Sequence, residues 1–468
     1  MKRIFLALTL VFATTALHSQ DQKNVVVILV DDLGWKDLGY SGSPLYLTPN
    51  IDALASESVI YSNAYSAHPV CSPSRAALLT GKNPIKIGIS DWIPGSDPKD
   101  KPLLGPKDLH ELPLKEITLA ERLKDYGYST FFAGKWHLGG EEHSPSQQGF
   151  DINVGGIDLG SPPGGYYVPY KNPLLPDGPE GEYLTDRLTT ETIDFITAHK
   201  DSPFFAYLSY YTVHTPIQAN KDFRPKYNDV SIDHKTTNEG EGQSLIFQDN
   251  LDYASMVSAM DNNVGRLVRH LKDEGLWENT ILVFTSDNGG LSTLNNQYKG
   301  KIPTSTFPKR GGKGWCYEGG IRIPLLIHSP GDVDNKTCDK PVTHMDIVPT
   351  ILENIDIDSK ATATMEGEDI LSKHWIKSTA IRPLFWHFPH YHGSAWTPGS
   401  ALRRGDWKLI YFYEDERSEL YNLAVDESEN VNLAKRYPDK VAILKKELFA
   451  MIDASNGKYP SKNHSAKK

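Results

Sequence analysis

Cysteine is scarce in this chain: Cys71, Cys316 and Cys338 are the three it has in 468 residues. So few thiols exclude a small fold stapled by disulfides. An odd number cannot all pair within one chain. Cys316 and Cys338 can form a disulfide, although spacing alone does not decide it, and Cys71 is then left over. Long apolar runs are also missing. Beyond Leu17 no stretch is apolar enough to cross a bilayer, which excludes a membrane-spanning helix in the body of the chain. Basic charge is in deficit, with 49 Lys and Arg against 59 Asp and Glu, a formal net charge of -10. Such a balance argues against nucleic acid or an anionic membrane as partner. An anionic substrate would need a local basic pocket on an acidic body.

What is present begins with a targeting segment. Lys2 and Arg3 precede an apolar run from Ile4 to Leu17, which ends in Ser19-Gln20-Asp21. Residues 1–19 therefore read as a signal peptide, and the mature protein as soluble and exported, periplasmic or secreted. No cysteine follows the run, which speaks against a lipid anchor there. Cleavage removes Lys2 and Arg3 and leaves 47 basic against 59 acidic side chains, a net charge of -12.

From Asn24 onward, apolar runs alternate with amphipathic segments. Val25 to Val30 is a mostly β-branched run, as expected for a strand buried on both faces of a parallel sheet. Further strands are predicted at Ser129–Ala133, Phe204–Tyr211, Thr280–Phe284 and Ile323–Ile327. Helices are predicted after Thr48-Pro49-Asn50, after Thr118, where Glu121 completes a capping box, and over Leu251–Lys272. This alternation predicts an α/β fold: a mixed, mostly parallel central sheet with helices on both faces, over residues 20–371. The pattern then changes. Leu384–His387, Trp407–Tyr413 and Glu419–Leu423 read as strands of an antiparallel sheet and Tyr437–Ile452 as a helix. They define a small α+β domain over 372–457, with a disordered tail over 458–468. Ile93–Pro113, Gly155–Gly181 and Lys221–Ser244 read as long loops that shape a site or are surface insertions.

Asp31-Asp32 follows the first buried strand, and Ser286-Asp287-Asn288-Gly289-Gly290 follows the Thr280 strand. Ligands of open α/β sheets bind at those carboxyl ends. Asp31, Asp32, Asp287 and Asn288 offer only oxygen, which suits Ca2+ or Mg2+ rather than zinc. Either pair alone also fits a turn or helix cap. A helix starting near Cys71 aims backbone N–H groups at an anion, and Arg75 lies about one turn on.

The run Cys71-Ser72-Pro73-Ser74-Arg75-Ala76-Ala77-Leu78-Leu79-Thr80-Gly81 resembles the signature of the formylglycine-dependent sulfatases, Cys-x-Pro-x-Arg continued by Leu-Thr-Gly. The resemblance continues through Gly134-Lys135-Trp136-His137-Leu138-Gly139, His214-Thr215-Pro216 and the stretch from Lys313 to Pro324. His344–Thr350 resembles a helix behind the site, and Trp407–Ile410 and Glu419–Leu423 resemble the small C-terminal sheet. Cys316 stands where a small or hydroxyl residue is expected.

The resemblance implies an alkaline phosphatase-like fold and a Cys71 oxidised to formylglycine (3-oxoalanine) by a maturation enzyme. It implies Ca2+, with Mg2+ second, at Asp31, Asp32, Asp287, Asn288 and the modified Cys71. Arg75 would steady the nucleophile, while Lys135 and Lys313 stabilise the sulfuryl oxygens. His214 or Lys313 would protonate the leaving alcohol, and His137 would take the proton that lets sulfate depart. Arg322 either braces its loop or touches substrate. The aromatic and imidazole-rich run Phe385–Gly393 makes His387, His390 and His392 candidate sugar contacts. A sulfated carbohydrate is the implied substrate: an algal polysaccharide such as ulvan, or a galactose- or glycosaminoglycan-type sulfate. The alternatives are a phosphonate monoester or phosphodiester hydrolase of the same superfamily, and a carbohydrate-binding pseudosulfatase.

Overall fold

The computed structural model describes residues 22–96, 98–298, 300–331, 337–355, 357 and 364–466. The signal peptide expected at 1–19 lies outside the described residues. Among the described residues no helix is long and apolar enough to cross a membrane.

The Asn24–Val30 strand is completely buried. Its side chains alternate between two cores: Val26, Ile28 and Val30 enter one, Val25, Val27 and Leu29 the other. That alternation is why the run is apolar at every position rather than at every second one. The strand is central in an eight-stranded sheet. Thr280–Ser286 and Phe204–Ser209 flank it in parallel, and Ser129–Gly134 then Ile152–Val154 extend the Phe204 side, also in parallel. On the other side Leu325–His328 pairs antiparallel with Thr280–Ser286, followed by Val59–Tyr61 and Thr337–Cys338. The sheet is mixed and mostly parallel, as expected.

Helices cover both faces. Pro49–Ser56, Leu184–His199 and Leu251–Asp273 bring Leu54, Leu188 and Met256 to one core. Cys71–Thr80, Leu119–Asp125 and Ile347–Asn354 bring Leu78, Leu123 and Ile351 to the other. The capping box at Thr118 is formed, with Glu121 N donating to Thr118 Oγ1 and Thr118 N to Glu121 Oε2.

The C-terminal sheet has four antiparallel strands in chain order, Leu384–Phe388, Gly399–Arg404, Trp407–Phe412 and Ser418–Asn422. One face receives Leu444, Leu448 and Ile452 of the Pro438–Ala454 helix. The other places Trp386, Phe388 and Phe412 against Tyr65, Trp315 and Tyr317 of the larger domain. The C-terminal sheet and the larger domain thus share a buried aromatic boundary.

Two expectations are corrected, and the state of two cysteines is settled. Thr236–Glu239 and Gly242–Leu245, at the end of an expected loop, form a hairpin extended by Thr293–Asn295. The tail expected to be disordered over 458–468 is ordered through 466: Ser461 and Lys462 pair with Leu104 and Leu103. Asn463 Nδ2 also donates to the carbonyls of Lys99 and Lys101, which ties the chain end to a catalytic-domain loop. Cys316 and Cys338 are both free thiols.

Candidate active site

Four parallel strands deliver polar residues to one sheet edge. Asp31 and Asp32 leave Asn24–Val30, Asp287 and Asn288 leave Thr280–Ser286, Lys135 and His137 leave Ser129–Gly134, and His214 follows Phe204–Ser209. Lys313 arrives on the glycine-rich loop, whose Lys313 N donates to Gly290 O. Cys71 opens the Cys71–Thr80 helix and is 2% exposed.

Arg75 locks these strands together. Its Nε donates to Asp287 Oδ2 at 2.9 Å, and its Nη1 donates to Lys135 O at 2.9 Å and Ser209 Oγ at 2.8 Å. Nη2 lies 2.8 Å from Asp287 Oδ2 and 3.4 Å from Asp31 Oδ1. A planar guanidinium can serve all these partners at once, whereas an ammonium cannot. Ser209 Oγ in turn donates to Lys135 O at 2.7 Å. Ser209 belongs to this constellation although no sequence motif marks it; a serine at the end of a strand is too common to stand out.

Three carboxylates face three cations. Lys135 Nζ lies 2.7 Å from Asp31 Oδ2, and Lys313 Nζ lies 2.8 Å from Asp32 Oδ1. Asn288 Nδ2 donates to Asp32 Oδ1 at 2.8 Å, and Asp32 N to Asp287 Oδ1 at 3.1 Å. Burial pushes the Asp31 carboxyl well above the usual range against the pull of Lys135, and the Asp287 and Asp32 charges push the same way. Burial also opposes the charge of Asp287, but Arg75 and Lys135 outweigh it and hold that carboxyl low. Burial opposes the Lys313 ammonium too, and Asp32 overcomes it, raising its pKa.

The oxygen set fits a hard cation. Asp31 Oδ1 and Asn288 Oδ1 are buried and have no hydrogen-bond partner. Buried acceptors left bare are costly unless something absent from the chain satisfies them. His214 Nδ1 donates to Thr215 O at 2.8 Å, so Nε2 is an acceptor, and it faces Asp32 Oδ2 at 3.7 Å. Two acceptors facing each other call for a proton or cation between them. Ligand-type atoms of Asp31, Asp32 and His214 all lie within 4.8 Å of one another. Asp31, Asp32, Asp287 and Asn288 can hold Ca2+ with oxygen alone.

Burial disfavours the charged form of both histidines. Burial, then Lys313, lowers His214 to about 3 against the pull of Asp32. Burial, then Lys135, lowers His137 well below its ordinary value. His137 Nε2 sits 2.5 Å from Ile93 O and must carry the proton, which leaves the buried Nδ1 without a partner. His137 is held at φ 58, an unusual left-handed conformation for a non-glycine residue.

The expected sugar contacts divide. Arg322 is committed elsewhere: Nη1 donates to Glu318 Oε2 at 3.0 Å and to Tyr65 Oη at 3.1 Å, and Nη2 to Ser62 O. It braces its loop. His387 Nδ1 bonds Ser400 Oγ at 2.7 Å and Nε2 bonds Lys458 O at 2.9 Å, so neither nitrogen is free. His392 stands against Gly314, beside Lys313, and both the Lys313 and Asp32 charges act on it. His390 lines a separate cleft.

A buried oxygen-rich cradle thus lies at the carboxyl edge of a mostly parallel sheet, ringed by lysines and histidines, where open α/β sheets bind their ligands. Comparison with known proteins gives the family. The family described as Sulfatase matches residues 23–357, and the family described as N-sulphoglucosamine sulphohydrolase, C-terminal, matches 307–454. Arylsulfatase J of Mus musculus is 30% identical over 91% of this chain and 75% of its own length. A sulfatase of Formosa agariphila is 31% identical over 91% of this chain and 87% of its own length. The solved structure of Ps i-CgsB is 28% identical, with a TM-score of 0.73 and 92% of each chain covered. A second structure of that protein, in complex with k-i-k-neocarrahexaose, gives the same values. The chain belongs to the sulfatase family and is a sulfuric ester hydrolase.

Proposed function

We propose that this sulfatase removes sulfate from a sulfated carbohydrate, using a formylglycine made from Cys71 by a maturation enzyme and Ca2+ held by Asp31, Asp32, Asp287 and Asn288. The observation that carries the reading is the position of Cys71. It opens a helix, buried at the sheet edge, whose Arg75 one turn on is bonded to Asp287. A relative that binds a neocarrahexaose supports the carbohydrate. An exported protein, periplasmic or secreted, is the matching location, and an algal polysaccharide the matching substrate.

The hydrated aldehyde supplies an oxygen nucleophile and a second hydroxyl whose deprotonation expels sulfate. Bound Ca2+ would supply positive charge beside the sulfuryl oxygens. The residues of the chain do the rest. Lys135 and Lys313 hold the developing charge on the sulfuryl group. Arg75 fixes Asp287 and the Lys135 carbonyl, so the cradle does not reorganise during reaction. Lys313, which Asp32 keeps charged, delivers a proton to the leaving oxygen; His214 shares that role only in the form that carries a proton on Nε2, opposite Asp32 Oδ2. The bare Nδ1 of His137 accepts the proton of the remaining hydroxyl.

The test is sulfate release from defined sulfated oligosaccharides by protein co-expressed with a maturation enzyme. Mass spectrometry of the Cys71 peptide should show the aldehyde or its hydrate. Full activity from protein carrying an intact Cys71 thiol would refute the nucleophile. Phosphodiester cleavage in preference to sulfate release would refute the substrate.

A further inference from the structure

The segment Ser90–Ser96 has two sides. One side serves the catalytic centre: Ile93 N donates to Ser72 Oγ at 3.0 Å, and Ile93 O takes His137 Nε2 at 2.5 Å. The other side forms the wall of a cleft of about 600 Å³, closed opposite by Gly105–Glu111 and by His390 from the C-terminal domain. That volume lies within the range of small-molecule sites, about 300–1,000 Å³.

The cleft holds polar groups that the hydrolytic chemistry does not use. Asp91 is 2% exposed and accepts from Trp92 N at 2.8 Å and Ser96 N at 3.3 Å. His390 is 5% exposed and bonds Ser90 Oγ through Nε2 at 2.9 Å. Its Nδ1 stands 3.9 Å from Asp91 Oδ2, too far for a hydrogen bond and a distance that one hydroxyl oxygen can bridge. Gly105 passes so close that a Cβ there would lie 2.3 Å from His390 Nδ1, so a side chain would displace the ring. At the mouth, Lys107 and His110 are exposed, and His110 Nε2 lies 3.8 Å from Asp108 Oδ1.

We propose that this cleft is a second sugar subsite, taking the ring next to the one that carries the scissile sulfate. The proposal rests on the carbohydrate reading above. A buried carboxyl beside a neutral imidazole recognises vicinal hydroxyls, and a lysine and a histidine at the mouth suit a sulfate on the same ring. The cleft lies on the nucleophile's flank: its Ser90–Ser96 wall is bonded through Ile93 N to Ser72 Oγ, beside Cys71. The enzyme then acts on an oligosaccharide in preference to a monosaccharide, and binding in the cleft orients the first ring through Ile93.

The test compares matured wild type with the mouth variant Lys107→Ala/His110→Ala and with His390→Ala. Each is assayed on a sulfated tetrasaccharide, the matching sulfated monosaccharide and an aryl sulfate. Wild type should favour the tetrasaccharide over the monosaccharide by at least about tenfold in kcat/KM, equivalent to about 1.4 kcal/mol of subsite binding. In both variants the ratio of tetrasaccharide to aryl sulfate kcat/KM should fall about tenfold, with the change in KM. The mouth variant alters exposed side chains and keeps the question answerable if His390→Ala does not fold. A constant ratio in the mouth variant, or a wild type indifferent to chain length, would overturn the subsite. Aryl sulfate turnover with no saccharide turnover would instead overturn the carbohydrate reading.

Discussion

Lys408 Nζ, on the C-terminal sheet, lies 3.0 Å from Glu318 Oε1, on the short helix that follows the Lys313 loop, and neither side chain is more than 1% exposed. The same ammonium lies 2.9 Å from Glu429 Oε1. Burial opposes the Glu318 charge, but Lys408 and Arg322 hold its carboxyl low; Glu429 is pushed up to about 7 by burial. One buried cation therefore joins the domains and anchors the loop that presents Lys313. Replacing it by an apolar side chain leaves buried Glu429 without a cation and Glu318 with Arg322 alone of the two that hold it low. Lys408→Met should destabilise the protein by about 3–5 kcal/mol, read as a lower urea midpoint at unchanged slope. A midpoint within error of wild type would show that the Lys408 ion pairs contribute nothing to holding the domains together.

Ser209 offers a finer test of how Arg75 is held. Ser209→Ala removes the hydroxyl that takes Arg75 Nη1 at 2.8 Å and leaves Asp287, Asp31 and the Lys135 carbonyl as its partners. Loss of a hydrogen bond to a charged group costs about 1.5–3 kcal/mol. Activity should fall by at least about tenfold while secondary structure, by circular dichroism, is kept. Unchanged turnover would mean that Asp287, Asp31 and the Lys135 carbonyl orient the guanidinium without Ser209.

These residues also show what sequence can and cannot convey. Val25–Val30 announces its place because both faces are buried, so every position is apolar. Asp31, Asp32, Cys71, Arg75, Lys135, His137, His214, Asp287, Asn288 and Lys313 sit in short motifs at strand ends or helix starts, and the fold gathers them. Arg322 and His387 carry the same residue chemistry, but tertiary partners, Glu318 and Ser400 among them, turn them inward. The Thr236–Leu245 hairpin is too polar to show an apolar alternation. Ser461–Lys462 pairs through its backbone with both side chains exposed, so nothing in its residues signals a strand.

The bare oxygens of Asp31 and Asn288 lead to a metal test that does not depend on activity. A ligand bound only by the folded state stabilises it by about 2.7 kcal/mol at a concentration a hundredfold above its Kd. Ca2+ should raise the unfolding temperature of the protein and EGTA should lower it. Asn288→Leu keeps the net charge and removes one oxygen, so its response to Ca2+ should shrink sharply. Equal responses in both proteins would move the cation elsewhere.

His387 couples the stability of the C-terminal domain to solution pH. Burial lowers it to about 4 from an ordinary 6.5, while its bond to Lys458 O pulls weakly the other way. Between those values the unfolded chain binds a proton that the folded chain refuses. Stability therefore rises with pH across this window and is lost as pH falls from 6.5 towards 4, by up to about 1.4 kcal/mol per pH unit for one such group. Other buried histidines, His390 among them at about 3, add the same sign. The urea midpoint of wild type should fall between pH 7 and pH 5, and His387→Gln, less stable at pH 7, should fall less steeply. Parallel pH profiles for the two proteins would mean that His387 takes up its proton in the folded state at an ordinary pH.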